Sequence, residues 1–170
     1  MAGIYIHIPF CKQRCNYCAF YSTTLYNIRE EYVNALCKEL LMRKDYVASD
    51  TINTIYFGGG TPSTLTIAQL GRICNTIYST YPIAENPEVT IECNPDDLTP
   101  EYLERQKELP FNRISMGVQS FNNIQLKRLG RRHTAEGAHL AVANARAAGY
   151  NNISIDLMFA LPGSTAEEWQ

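Results

Sequence analysis

PFCKQRCNYCAF (residues 9–20) puts three cysteines, Cys11, Cys15 and Cys18, on one short stretch directly after the β-branched run IYIHI (4–8). Three more, Cys37, Cys74 and Cys93, are scattered further along. What this cluster binds decides which fold the rest of the chain must build. A zinc site wants a fourth Cys or His at matching spacing. His7 lies on the strand itself, and His133 and His139 fall far along the chain. A thioredoxin-like pair would use Cys15-Asn16-Tyr17-Cys18 and leave Cys11 without a role. Three thiolates on one irregular loop suit a cubane iron–sulfur cluster, in which four irons and three protein ligands leave one iron open. Zinc, and incidental or redox cysteines, stay open as alternatives on spacing alone.

Composition describes an ordinary globular protein. Of 170 residues, 45% are apolar and 19% charged, which allows a sizeable core and carries no disorder signature. A net charge of −2 gives no electrostatic reason to expect a nucleic-acid partner. The basic cluster Lys127, Arg128, Arg131 and Arg132 is short and reads as a helix end or an anion contact. No apolar run is long enough for a membrane span. MAGIYIHIPF (1–10) lacks the basic start and long apolar core of a secretion signal. A cytoplasmic protein is therefore predicted, in a compartment where clustered cysteines bind metal or do chemistry.

Short β-branched runs alternate with segments of helical period. Strands are predicted at 4–8, 52–57, 88–93, 113–119 and 152–161, and helices at 28–44, 66–78, 99–109, 122–129 and 134–148. Thr66 and Thr99 read as N-caps, Pro100 as a first helical residue and Gly149 as a C′ glycine. Thr165 and Glu168 read as a capping box opening one more helix. Five βα units in strict alternation predict an α/β fold with a parallel sheet. An open doubly wound sheet and a (β/α) barrel both fit. The sequence stops one turn into the last helix, at Trp169–Gln170, so the expectation is the N-terminal part of a larger protein with an uncovered sheet edge.

Glycine-rich or polar features recur at the carboxyl ends of these strands. FGGGTPS (57–63) follows the second, and Glu92 in TIECNP (90–95) ends the third. Gln119 in GVQSF (117–121) and Asp156 in SIDLMFALPG (154–163) do the same for the next two. FGGGTPS matches neither Walker A nor G-x-G-x-x-G, which disfavours phosphate binding. Polar residues at the carboxyl ends of successive parallel strands converge on the site face of a barrel.

C-x3-C-x2-C with an aromatic residue, Tyr17, before the last cysteine resembles the signature of radical S-adenosylmethionine enzymes. In that family the cofactor's methionine group binds the open iron, and the protein holds the radical made by its cleavage away from water and oxygen. Over residues 4–163, YIHIPFC, FGGGTP, IECNP, MGVQSF, LGRRHT and IDLMFALPG resemble, in order and approximate spacing, the oxygen-independent coproporphyrinogen III oxidase group. The resemblance implies a partial (β/α)6 barrel, here its N-terminal five βα units, with 1–170 an incomplete radical SAM core domain. It implies Cys11, Cys15 and Cys18 as ligands of a [4Fe-4S] cluster, with Tyr5, Gly59 and Glu92 lining the S-adenosyl-L-methionine bound to it. Tyr17, Gly60, Thr61, Gln119, Arg131 and Asp156 match positions that hold a second S-adenosylmethionine in the oxidase.

Two departures bear on function. Phe20 stands where the oxidase has a further cysteine, and Cys11 is reached without the oxidase's N-terminal extension. Both features resemble the heme-chaperone branch of the group, which is proposed to hand heme to acceptor proteins. That branch implies heme or porphyrinogen as a ligand, an unidentified heme-acceptor protein, and an electron donor of flavodoxin or ferredoxin type. Radical oxidative decarboxylation of porphyrinogen propionates is the alternative. Of the remaining residues, Cys37 and Cys74 read as buried small hydrophobes, and Cys93 as packing on the strand face opposite Glu92. His7 reads as a satisfied core histidine, and His139 as surface or packing.

Overall fold

The computed structural model describes residues 2–47 and 50–166. Five strands, β1 (Ala2–Ile8), β2 (Ile52–Gly59), β3 (Ile83–Cys93), β4 (Arg113–Gln119) and β5 (Asn152–Leu157), form one sheet in the order β1-β2-β3-β4-β5. Every neighbouring pair is parallel. The connections carry α1 (Arg29–Met42), α2 (Ile67–Thr80), α3 (Pro100–Gln106), α4 (Asn123–Arg128) and α5 (Ala135–Ala147). This order separates the two architectures left open by the sequence. Parallel crossovers are almost always right-handed, so strands added in one direction put every connecting helix on the same face. A doubly wound sheet reverses direction at a switch point. These five strands do not reverse and form a segment of barrel wall.

Strand periodicity divides the wall into two faces. Ile6, Ile8, Ile55, Phe57, Val89, Ile91, Cys93, Ile114, Met116 and Val118 are buried against the helices. There they meet Val33 and Leu40 of α1, Leu70, Ile73 and Ile77 of α2, Leu103 of α3 and Ala138 and Ala141 of α5. The alternate residues, including Tyr5, His7, Tyr56, Gly58, Thr90, Glu92, Ser115, Gly117, Ser154 and Asp156, form the inner face. Its lower part is a hydrogen-bonded polar layer. Arg113 donates to Thr90 Oγ1 at 3.2 Å and to Ser154 Oγ at 2.9 Å, and Ser154 Oγ bonds to Ser115 Oγ at 3.0 Å.

The expected caps form. Thr66 Oγ1 accepts from Gln69 N while Gln69 Oε1 accepts from Thr66 N, a complete capping box. Thr99 accepts from Tyr102 N with Pro100 at the first helical position, and Gly149 takes a left-handed φ of +94° after α5. Four strand boundaries move: β1 starts at Ala2 and β2 runs on to Gly59, each two residues beyond the predicted end. β3 starts at Ile83, paired with Ile52, and a bulge containing Pro87 precedes the pairing of Glu88 with Thr54. β5 ends at Leu157 and not 161, because Met158 N turns to Gln119 O (2.9 Å) and Ala160 adopts a left-handed φ of +55°. Glu168 and Trp169, of the helix expected after Thr165, lie outside the described residues. Among the described residues, no helix is long and apolar enough to cross a membrane.

Candidate functional site

The cysteine loop leaves β1 at its carboxyl end and is closed at its base by a two-bond clip. Cys11 N donates to Thr23 O (2.9 Å) and Thr23 N to Pro9 O (2.7 Å). Its far side is tied to the end of α4: Asn16 N donates to Leu129 O (3.1 Å), Asn16 Nδ2 to Arg128 O (2.9 Å), and Gln13 Nε2 to Gly130 O (3.2 Å). Cys11 is buried, Cys15 and Cys18 are half-buried, and all three are free thiols. Thr61 Oγ1 donates to Cys11 Sγ at 3.6 Å, and Arg131 Nη1 to Cys15 Sγ at 3.4 Å. Burial pushes the Cys11 thiol up; the Thr61 and Ser22 hydroxyls oppose this, and the neighbouring Cys18 and Cys15 add to it. Among the described residues, no three Cys, His, Asp or Glu side chains are gathered closely enough to hold a single metal ion.

The glycine run after β2 brings its backbone against that loop. Gly60 N donates to Ile8 O and Thr61 N to Phe10 O, both at 2.8 Å. A side chain at Gly60 would meet Pro9 and Phe10 backbone at 2.9 Å and Cys11 Sγ at 3.0 Å. Gly59 has a φ of +111°, and a Cβ there would meet the His7 ring at 2.6 Å. His7 itself lies on the inner face, half-buried. Both its ring nitrogens have partners, Tyr5 Oη at 3.3 Å and Tyr21 O at 3.1 Å. It is satisfied, as expected, but outside the core.

Glu92 points to the same inner face. Its Oε1 accepts from Tyr56 Oη at 2.7 Å and its Oε2 from Gly59 N at 3.2 Å. Burial raises the Glu92 carboxyl above the usual range, the Tyr56 and Gly59 donors pull it back, and Asp156 raises it again. Burial, with the bond to Glu92, pushes Tyr56 up to about 12. Tyr5 stacks on Tyr56 with ring centroids 6.0 Å apart.

Arg131 spans the opposite side. Its Nη2 donates to Asn94 Oδ1 at 2.6 Å and to Gly117 O, and its buried Nε has no hydrogen-bond partner. Gln119 sits at the end of β4 with a φ of +71°, a strained conformation for a non-glycine residue. A cleft of about 150 Å³ lies between these groups. Tyr17, Cys18, Gly59, Gly60, Thr61, Glu92, Gln119, Arg131 and Asp156 all line it. Tyr5, Cys11 and Cys15 are not among its lining residues, whereas Phe20 is. A larger apolar cavity of about 530 Å³ adjoins at Gln119, with Phe121, Leu157, Phe159 and Leu161 among its lining.

Sequence reading missed Tyr56 and Asn94. Tyr56 had a signal: it lies two residues before Gly58, so strand parity puts both on the inner face. Asn94 had none, because its partner Arg131 is remote in sequence. The basic cluster divides. Arg131 enters the cleft, Arg132 pairs with Asp96 at 3.0 Å, and Lys127 and Arg128 end α4. Cys74 and Cys93 are buried in the core as expected, Cys37 is half-buried against it, and His139 stacks on Phe121 at the surface.

Comparison with known proteins bears on this geometry. The chain is 40% identical over 167 residues to the heme chaperone HemW of Bacillus subtilis, covering 97% of this chain and 44% of that protein. It is 36% identical over 168 residues to the heme chaperone HemW of Escherichia coli, covering 98% and 44%. The chain thus spans less than half the length of the curated relatives it matches. Among solved structures, coproporphyrinogen III oxidase (HemN) from Escherichia coli, a radical SAM enzyme, superposes with a TM-score of 0.89 at 30% identity, covering 98% of this chain and 39% of that one. Residues 5–170 match the Radical SAM superfamily, and with a barrel-wall sheet carrying its cysteine loop and glycine turn at the strand ends, the chain belongs to that superfamily.

Proposed function

We propose that this chain belongs to a heme chaperone and that residues 1–170 form an incomplete radical SAM core, part of the barrel. In this reading Cys11, Cys15 and Cys18 hold a [4Fe-4S] cluster, and S-adenosyl-L-methionine binds beside it. The observation that carries the reading is the seam between the cysteine and glycine loops. Two backbone bonds of 2.8 Å lay Gly60 and Thr61 along Ile8 and Phe10, with the Glu92 carboxylate tethered to Gly59 N.

The residues present fit these groups. Thiols spread along one loop suit a cluster of several irons, each offering its own corner, better than one ion held by close ligands. Gly59 and Gly60 leave space that a Cβ would fill. The unpartnered Arg131 Nε is a buried donor beside the cleft, suited to a carboxylate. When bound, the cluster supplies single electrons to the sulfonium of the cofactor. Glu92, held by Tyr56 and Gly59, accepts from an ammonium group, while Tyr5 supports it by stacking on Tyr56. Arg131, fixed by Asn94 and Gly117, presents positive charge, and Tyr17, Thr61, Gln119 and Asp156 complete the cleft wall.

Heme as cargo is supported by the HemW relatives, by Phe20 on the cleft wall where a further cysteine would favour the oxidase, and by the adjoining apolar cavity, suited to a flat macrocycle. The reading includes a heme-acceptor protein, a flavodoxin- or ferredoxin-type electron donor and a cytoplasmic setting that keeps the thiols reduced. Anaerobic reconstitution of the full-length protein tests it. The expected result is about four irons per chain, an EPR signal that changes on adding S-adenosylmethionine, heme binding with transfer to an apo-hemoprotein, and no consumption of coproporphyrinogen. Zinc in place of iron would overturn the cluster. Turnover of coproporphyrinogen would replace the chaperone with an oxidase.

A further inference from the structure

NPDD (94–97) reads from the sequence as a turn after β3. In the fold it is where three loops meet. The Asp97 side chain is 3% exposed; its Oδ1 receives Lys12 Nζ at 2.5 Å from the cysteine loop. Its Oδ2 receives Ser63 Oγ at 2.7 Å from the segment after the glycine run. Arg132 Nη2 lies 3.7 Å from Asp97 Oδ1 and 3.0 Å from Asp96 Oδ2. A buried carboxylate is unfavourable unless it is paired. Here its partners come from three separate loops, so it is satisfied only when all three are in place.

We propose that Asp97 is a positioning residue for the cysteine loop. Through Lys12 it fixes the chain next to Cys11, and through Ser63 it fixes the loop whose Thr61 hydroxyl donates to the Cys11 sulfur. Without the clamp the backbone clip at Thr23, the ties to α4 and the backbone seam with Gly60 and Thr61 remain, but the segment around the Cys11 thiol loses its side-chain anchors at Lys12 and Ser63. The inference rests on the cofactor reading for cluster loading, but not for the accessibility of the thiol.

Two variants of the full-length protein test it. Asp97→Asn keeps the shape and an acceptor for Ser63 while removing the charge. Lys12→Met removes the other partner from a side chain that is 43% exposed, leaving Asp97 to Ser63 and the more distant Arg132. In the reduced apo protein, alkylation of Cys11 by iodoacetamide, followed by peptide mass mapping, should accelerate roughly tenfold in both variants, the measure of one lost charge-assisted hydrogen bond. Alkylation of Cys74 should be unchanged, which a general loosening of the fold would not allow. Iron bound after anaerobic reconstitution should fall in both. Wild-type rates at Cys11 together with wild-type iron would overturn the proposal. If Asp97→Asn does not fold, Lys12→Met decides alone. Wild-type protein that takes up no iron would overturn the cofactor reading and leave the alkylation comparison to decide on Asp97.

Discussion

The Tyr56 hydroxyl donates to Glu92 Oε1 at 2.7 Å across neighbouring strands, so the carboxylate expected to meet the cofactor is aimed by a side chain that carries no chemistry of its own. Tyr56→Phe removes that bond and leaves the stack on Tyr5 in place. S-adenosylmethionine should then bind roughly ten- to a hundredfold more weakly, as for one lost hydrogen bond to a charged group, with iron content unchanged. Anaerobic calorimetry on the reconstituted protein measures this. An unaltered affinity would remove the Tyr56–Glu92 pair from the site.

The same carboxylate ties stability to pH. Burial raises Glu92, and Asp156 is raised likewise with Arg113 opposing. A folded state that holds protons more tightly than the unfolded one loses stability as pH rises from the unfolded pKa through the folded one. Apo Glu92→Gln should therefore melt higher than wild type at neutral pH. The gap should close on acidification below the unfolded carboxylate value of about 4.3. Scanning calorimetry across that range decides it, and a variant that melts lower at neutral pH would show that the Tyr56 and Gly59 bonds outweigh burial.

The thiols should separate by reactivity. Burial pushes Cys74 up to about 12 and raises Cys93 as well, whereas Cys15 and Cys18 lie half-buried on the loop. Because the thiolate is the nucleophile, limiting iodoacetamide on the reduced apo protein should label Cys15 and Cys18 before Cys74 and Cys93. Early labelling of Cys93 would mean that β3 does not pack against its helices in solution.

Gly59→Ala tests the seam. Its φ of +111° disfavours any side chain, and the added methyl would meet the His7 ring at 2.6 Å. A loss of roughly 1–3 kcal/mol is expected, read as a lower melting temperature. A wild-type melting temperature would mean that the turn relaxes freely and that the glycine serves something other than backbone geometry.

Much of this was legible from local pattern. Strand β4 runs from Arg113 to Gln119 as predicted, Thr66, Thr99 and Gly149 punctuate their helices as expected, and Cys93 faces away from Glu92 by simple alternation. Each depends on interactions within a few residues, which the sequence spells out directly. The end of β5 did not follow the pattern. Leu157 gives way to a turn because Met158 bonds to Gln119, far back in the chain.

Local pattern alone carries the βα alternation, the opposition of Cys93 to Glu92, and a cysteine loop followed by a glycine turn. That the strands wind in one direction as a barrel wall emerges from the packed sheet. The same packing places Asn94 on Arg131, Tyr56 on Glu92, and Asp97 between Lys12 and Ser63. The reason is physical. Periodicity and capping report on neighbours along the chain, whereas which strand ends converge depends on sheet order and register, set by packing between segments that local pattern does not connect.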